Sequence, residues 1–199
     1  NGGWAYGFGK GPVAHTDLSV SGWCIQGLKA AALTGIPIDG LDESMDKAIE
    51  YVKRCQDQTG RFQYKTDSHG GQSGRGSLTG TGILSLQIWK NAKSEEARKG
   101  LDWIVANICD NKSQKDWKNV NVYGWYYHAQ ACFQATGAGG ANYWRAWNRD
   151  FQQIVTKAQS EDGHWKHGYH FHGDTDIYRT AMTILMLEVY YRYMPSTKV

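Results

Sequence analysis

The chain has no apolar run near the roughly 20 residues that a membrane-spanning helix needs, which excludes a membrane span of that kind. Proline is scarce, 3 in 199 residues, so little in the sequence interrupts helices. An excess of one charge is also lacking. The 22 Lys and Arg stand against 19 Asp and Glu, a net charge of +3. That balance excludes a charge-rich disordered tail and a dedicated nucleic-acid binder, since Lys and Arg form no stripe. The four cysteines, Cys24, Cys55, Cys109 and Cys132, form no C-x-x-C pair and no zinc spacing. Free buried thiols and a Cys24–Cys55 bridge both stay open at this point. The nucleophile elbow G-x-S-x-G and the phosphate loop G-x-x-x-x-G-K-[ST] do not occur. The chain opens on Asn1-Gly-Gly-Trp4, with no secretory or transit pattern, and the expectation is a mature fragment or a piece of something longer.

Aromatic residues are abundant, with nine Trp and twelve Tyr, and so is glycine, at 24. Trp and Tyr in such number supply large amphipathic surfaces at element ends or in a pocket. A repeat is also present. Gln56-Asp-Gln-Thr-Gly60-Arg-Phe62 reads Q-x-x-x-G-x-aromatic, and Gln159-Ser-Glu-Asp-Gly163-His-Trp165 keeps the spacing. Gly2-Gly3-Trp4 looks like the tail of a third copy. Gln114-Lys-Asp-Trp117 is a remnant without the glycine.

Each repeat position has an amphipathic helix beside it. Met45, Ala48, Ile49, Val52 and Cys55 share one face, as do Ala97, Leu101, Ile104, Val105 and Ile108. Trp144, Trp147, Phe151, Ile154, Val155 and Ala158 form the third stripe. One apolar stripe with a polar back marks a helix lying on a core. The segments between, 17–34, 77–91, 121–136 and 176–193, are apolar or small on nearly all sides and belong between layers. Inner and outer helices thus alternate, and stacked pairs bury a core that no single pair could. The sequence predicts an all-α chain, residues 1–199 forming a single domain. The repeat glycine suits a left-handed residue that ends a helix, the aromatic covers the helix end, and the Gln amide satisfies free backbone groups there.

The Q-x-x-x-G-x-W motif between an outer and an inner helix resembles that of the terpenoid cyclases, squalene–hopene cyclases included, and of the wider superfamily holding the protein prenyltransferase β subunits. The resemblance covers nearly the whole chain and implies a partial α/α toroid, its inner helices lining an apolar cavity. The family's chemistry transfers only in part. Squalene–hopene-type cyclases protonate an alkene with the central acid of D-x-D-D-T-A. The nearest stretch is Asp176-Ile-Tyr178-Arg179-Thr180-Ala181. Asp176 and Thr180-Ala181 match; the other acids are replaced by Tyr178 and Arg179. Arg stays charged to very high pH, and a phenol is too weak an acid for an alkene. The D-x-C zinc motif of prenyltransferase β subunits and the thioester motif G-C-G-E-Q do not occur.

Residues 164–176 hold His164, His167, His170, His172, Asp174 and Asp176. Such side chains bind zinc, iron or manganese, so His167, His170 and His172 are the candidate ligands for a divalent metal. Asp174 and Asp176 are the candidate catalytic carboxylates. If the inner helices run parallel, their entry loops gather at one end as a polar, aromatic mouth. His15, His69, Arg75, Tyr178 and Arg179 are the candidate substrate contacts there, and Lys10, Arg75 and Arg179 with the helix N-termini would favour an anion. His128, beside Tyr126 and Tyr127, reads as a core residue and Asp17 as an N-cap. Three functions follow: a binding or structural module with a pocket for an unidentified small or apolar ligand, a divergent enzyme on an apolar or isoprenoid substrate, and a metal-assisted hydrolase or lyase. A partial ring leaves apolar flanks, which predicts contact with missing upstream repeats or self-association.

Overall fold

The computed structural model describes residues 1–6, 16–66, 76–169 and 174–191. Among these the chain is all-α, with seven α-helices and no strand: α1 (Leu18–Leu33), α2 (Leu41–Arg54), α3 (Thr79–Ile88), α4 (Glu95–Ile104), α5 (Val122–Gln134), α6 (Ala141–Ala158) and α7 (Asp176–Leu187). The boundaries have local causes. Asp17, Ser94, Asn121 and Thr175 cap α1, α4, α5 and α7, each accepting a backbone N–H of the first turn. Such caps satisfy donors that have no partner within the helix. Glu95 and Glu96 then lie in the first turn of α4, where the helix dipole favours acids. The regular helical period expected through Val105 and Ile108 is broken, because α4 ends in a π-turn over Val105–Cys109. The extra residue per turn still buries Ile108 and Cys109.

The helices form two rows. In the inner row α1 packs on α3, α3 on α5 and α5 on α7. In the outer row α2 lies on α1 and α3, α4 on α3 and α5, and α6 on α5 and the π-turn. Burial follows the sequence pattern in part: all of α3 is buried, and Met45, Ala48, Ile49 and Val52 form the buried stripe of α2, whereas α1 and α7, expected between layers, stand at the ends of the row and leave Trp23 and Ile177 exposed. Inner helices approach closely through small residues. A side chain at Gly80 would strike the backbone of Tyr127 and His128, and one at Gly22 would strike Thr81. None of the four cysteines is in a disulfide, which removes the Cys24–Cys55 bridge.

The repeat motif is a structural staple. Gln56 and Phe62 form an antiparallel bridge, and so do Gln159 and Trp165. The Gln56 amide donates to Gly60 O at 2.9 Å and to Glu96 O, in α4, at 2.8 Å. Gln159 donates likewise to Gly163 O at 2.9 Å. Gly2, Gly60 and Gly163 share a left-handed backbone, φ 91°, 93° and 91°, so the N-terminal remnant keeps the geometry of the full copies. The backbone N–H of the aromatic residue then donates to a hydroxyl on the next inner helix in all three: Trp4 to Ser21 Oγ at 2.9 Å, Phe62 to Thr79 Oγ1 at 3.2 Å and Trp165 to Thr180 Oγ1 at 3.0 Å. At the Trp117 remnant, short 3-10 turns at Lys112–Lys115 and Trp117–Asn119 replace the motif.

Candidate functional site at the entry end of the inner helices

The inner helices run in one direction. Along α3 and α5, Gly124 faces Ser77, Gly80 faces Tyr127, and Gln87 donates to Ala131 O. Between α1 and α3, Gly22 faces Thr81, and further along Lys29 lies over the Trp89 ring. Between α5 and α7, Arg179 reaches Val120 O at the start of both helices, and Glu188 acts on Tyr126 further along. The N-terminal ends of the inner helices therefore lie at one end.

Tyrosines dominate that end. Burial raises the Tyr64 phenol, and the neighbouring Asp17 carboxylate raises it further. Burial pushes the Tyr123 phenol up to about 12, with Tyr178 and Tyr6 near enough to contribute. Tyr123 and Tyr127 meet edge to face at 5.1 Å between ring centres, and Trp23 of α1 meets Tyr127 at 6.5 Å. Trp23 itself is 60% exposed. The buried Tyr127 hydroxyl interacts with Tyr123 and Gln26, and the Thr81 hydroxyl with Tyr123; further along the same helices Gln87 Oε1 and Gln130 Nε2 are buried. Polar groups thus lie among the rings of this row of helices, and buried polar groups ordinarily have partners.

The other sequence candidates divide into three groups. His15, His69, Arg75, His170 and His172 lie outside the described residues. Asp174 and Arg179 are given to each other. Arg179 is fully buried, 0% exposed, and its guanidinium holds the Asp174 carboxylate at 2.8 and 3.0 Å through Nε and 2.8 Å through Nη2. It also donates to Trp117 O and Val120 O and lies 4.9 Å from the centre of the Trp117 ring. A planar fork suits such a crossing, and it ties the entries of α5 and α7 together. A side chain at Gly168 would strike Lys118 O and this guanidinium, so glycine makes room for the pair.

Asp176 and His167 form the third group, together with His164. Asp176 Oδ1 accepts from the His167 backbone N–H at 2.6 Å and lies 2.7 Å from His167 Nδ1. Its Oδ2 lies 3.6 Å from His164 Nε2, and His164 Nδ1 is 2.6 Å from Asp162 Oδ1. The backbone and imidazole hydrogen bonds from His167 hold the Asp176 carboxyl below the usual carboxylate range. The Nδ1 contact orients the His167 ring, as a carboxylate does in an acid–base pair. Among the described residues no group of three or more His, Cys, Asp and Glu is placed to hold a metal ion. Of the three candidate metal ligands only His167 is described, and its Nδ1 is engaged by Asp176.

His128 is a core residue, as its sequence setting suggests. Burial pushes its imidazole down to about 4, and Nε2 lies 3.2 Å from Gly76 O. Sequence reasoning missed the hydroxyl series Ser21, Thr79 and Thr180. Its signal was there, a Ser or Thr followed by Gly or Ala early in α1, α3 and α7, the inner helices that follow a motif copy. No helix of the described residues is long and apolar enough to cross a membrane. Comparison with protein-family models, curated proteins and solved structures finds no match to this chain.

Proposed function

We propose that this chain is a binding module of the terpenoid-cyclase-like kind, a segment of an α/α toroid whose inner-helix mouth takes a small, largely apolar ligand bearing polar groups. The observation that carries the reading is the group of aromatic rings near the entry end of the parallel inner helices, Trp23, Tyr123 and Tyr127, with the Thr81 hydroxyl beside Tyr123. Rings supply apolar area, and a few fixed polar atoms supply orientation, as ligand pockets require. The cyclase acid is not carried by Tyr178 and Arg179, and Arg179 is committed to Asp174. Proton-driven cyclisation therefore has no support from this site.

The test is a fluorescence titration of the intact chain with farnesol and, separately, with the apolar dye ANS. Trp23 is exposed beside Tyr127, so its emission reports on the mouth. Saturable binding of either probe, weakened at least tenfold by Tyr123→Ala with helicity unchanged, supports the reading. No saturable change with either probe, or an equal affinity in the variant, refutes it.

The Asp176–His167 pair favours a second reading, a divergent enzyme on an apolar or isoprenoid substrate. An oriented imidazole beside a mouth is the equipment of a general base. Turnover of a substrate lost in both Asp176→Asn and His167→Gln, with binding kept, would separate this reading from simple binding.

A further inference from the structure

The connections from α2 to α3 and from α6 to α7 carry the full repeat motif; the one from α4 to α5 does not. There α4 ends in the π-turn Val105–Cys109, closed by the Asp110 N–H on Val105 O at 3.0 Å, and 3-10 turns follow. A π-turn in a helix inserts one residue, and such insertions gather at functional sites. This one borders a pocket of about 240 Å³, part of it open to solvent. Ile108 and Cys109 of the π-turn line it together with Trp125 of α5 and Trp147, Phe151 and Ile154 of α6.

The rings of this pocket pack on one another. Trp125 lies 5.3 Å from Trp147 and 6.0 Å from Phe151 between ring centres. Trp125 therefore stands on the face of α5 turned to α6, whereas Tyr123 and Tyr127 turn to each other and to Trp23 of α1. Trp125 and Trp147 are only 4% and 3% exposed, yet neither indole N–H has an acceptor among the described residues. A buried donor without a partner is costly, and native proteins seldom leave one so. Here two of them belong to rings that line one pocket. The charged groups at the pocket are paired: Lys115 and Asp150 also line it and meet at 2.7 Å. Burial pushes the Cys109 thiol up to about 12, so it stays protonated and adds no charge.

We infer that this pocket binds a small uncharged molecule of one ring that carries an acceptor oxygen, and that the Trp125 or Trp147 indole N–H donates to that oxygen. The volume is below the roughly 300 Å³ at which pockets for larger ligands begin, which limits the occupant to a single ring. The Trp, Phe and Ile side chains supply its apolar surroundings. An ion would lose its water there without gaining a free counter-charge. The oxygen supplies what the two indoles lack. The pocket lies between α5, α6 and the π-turn, apart from the ligand mouth, and stands whether or not the mouth binds anything.

The experiment titrates the intact chain with acetophenone and, separately, with α-methylstyrene, which has nearly the same shape and a CH2 in place of the carbonyl oxygen. Indole N–H resonances are followed by NMR, with those of Trp125 and Trp147 assigned through Trp125→Phe and Trp147→Phe. Acetophenone should move at least one of the two N–H protons downfield in a saturable way. It should bind about fivefold tighter than α-methylstyrene, the worth of one hydrogen bond. In Ile154→Trp, whose side chain fills the pocket, the acetophenone shift at these indoles should be lost with helicity unchanged. If that variant does not fold, the comparison of the two ligands on the parent chain decides alone. No saturable shift at either indole, as water alone in the pocket would give, overturns the proposal. Equal affinity for the two ligands, or an undiminished shift in folded Ile154→Trp, overturns it as well.

Discussion

Replacing Gly60 and Gly163 separately by alanine isolates what the outer row contributes to the repeat. Both residues have φ above 90°, where an L side chain costs about 1–2 kcal/mol. Alanine recovers about 0.4–1 kcal/mol by restricting the unfolded chain, so the backbone change alone costs about 1 kcal/mol at either site. At Gly163 nothing more is added, because the new methyl enters open space. At Gly60 it stands 2.5 Å from Lys99 O and 2.9 Å from Lys99 C. Those are backbone atoms of α4, so the helix must move away, and such overpacking typically costs a further ~1–3 kcal/mol. For a chain of this size each kcal/mol lowers Tm by about 2–4 °C. Thermal and urea unfolding followed by circular dichroism should place Gly163→Ala about 2–4 °C below the parent and Gly60→Ala about 4–16 °C below. Equal losses at the two sites would refute the account of the motif as a clamp between a loop and the next outer helix.

Arg179→Leu should destabilise the chain by about 3–5 kcal/mol, since it leaves the Asp174 carboxylate buried without its partner; a urea midpoint close to the parent's would contradict this. His128 gives a pH dependence. Its folded value of about 4 lies below the ordinary 6.5, so below pH 6.5 the unfolded chain takes up a proton that the native imidazole refuses. Stability then falls as pH drops from about 6.5 to about 4, by on the order of 3 kcal/mol. In His128→Gln the loss between pH 7 and 4.5 should be clearly smaller, and an unchanged loss counts against the burial argument. For Asp176 the folded value is depressed by His167, so its contribution is present above the ordinary carboxylate range and disappears as pH falls through the depressed value. Carbon-13 titration of the Asp176 carboxyl should move upward in His167→Ala; no movement would mean that the pair does not form in solution.

Much of the fold is legible because it rests on periodicity. The stripes of Met45 to Val52 and Ala97 to Ile104 announce outer helices, and the all-apolar segments announce inner ones, as the burial of α3 bears out. The repeat glycines are readable because only a left-handed turn requires them at that spacing. The site was harder to read, for physical reasons. Arg179 next to Tyr178 in a helix start looks like an exposed contact residue. Its burial depends on Asp174, Trp117 O and Val120 O, which converge only in three dimensions. The histidine run looks like a ligand set, yet His164 turns to Asp162 and His167 to Asp176. The π-turn at Val105–Cys109 has no period of its own to detect. The approach of Tyr123 and Tyr178 was foreseeable only on the condition that the inner helices run parallel, a condition the sequence states nowhere.

The central claim is that the entry ends of the inner helices form one aromatic mouth that binds a ligand. Ring-selective NMR on protein with labelled Trp and Tyr tests both halves in one titration. Cross-peaks between the Trp23 and Tyr127 rings, 6.5 Å apart between centres, should appear in the free protein, and farnesol should shift Trp23, Tyr123, Tyr127 and Tyr178 together with one affinity. Missing Trp23–Tyr127 cross-peaks, or shifts confined to rings distant from this end, such as Trp89 and Tyr143, would contradict the account.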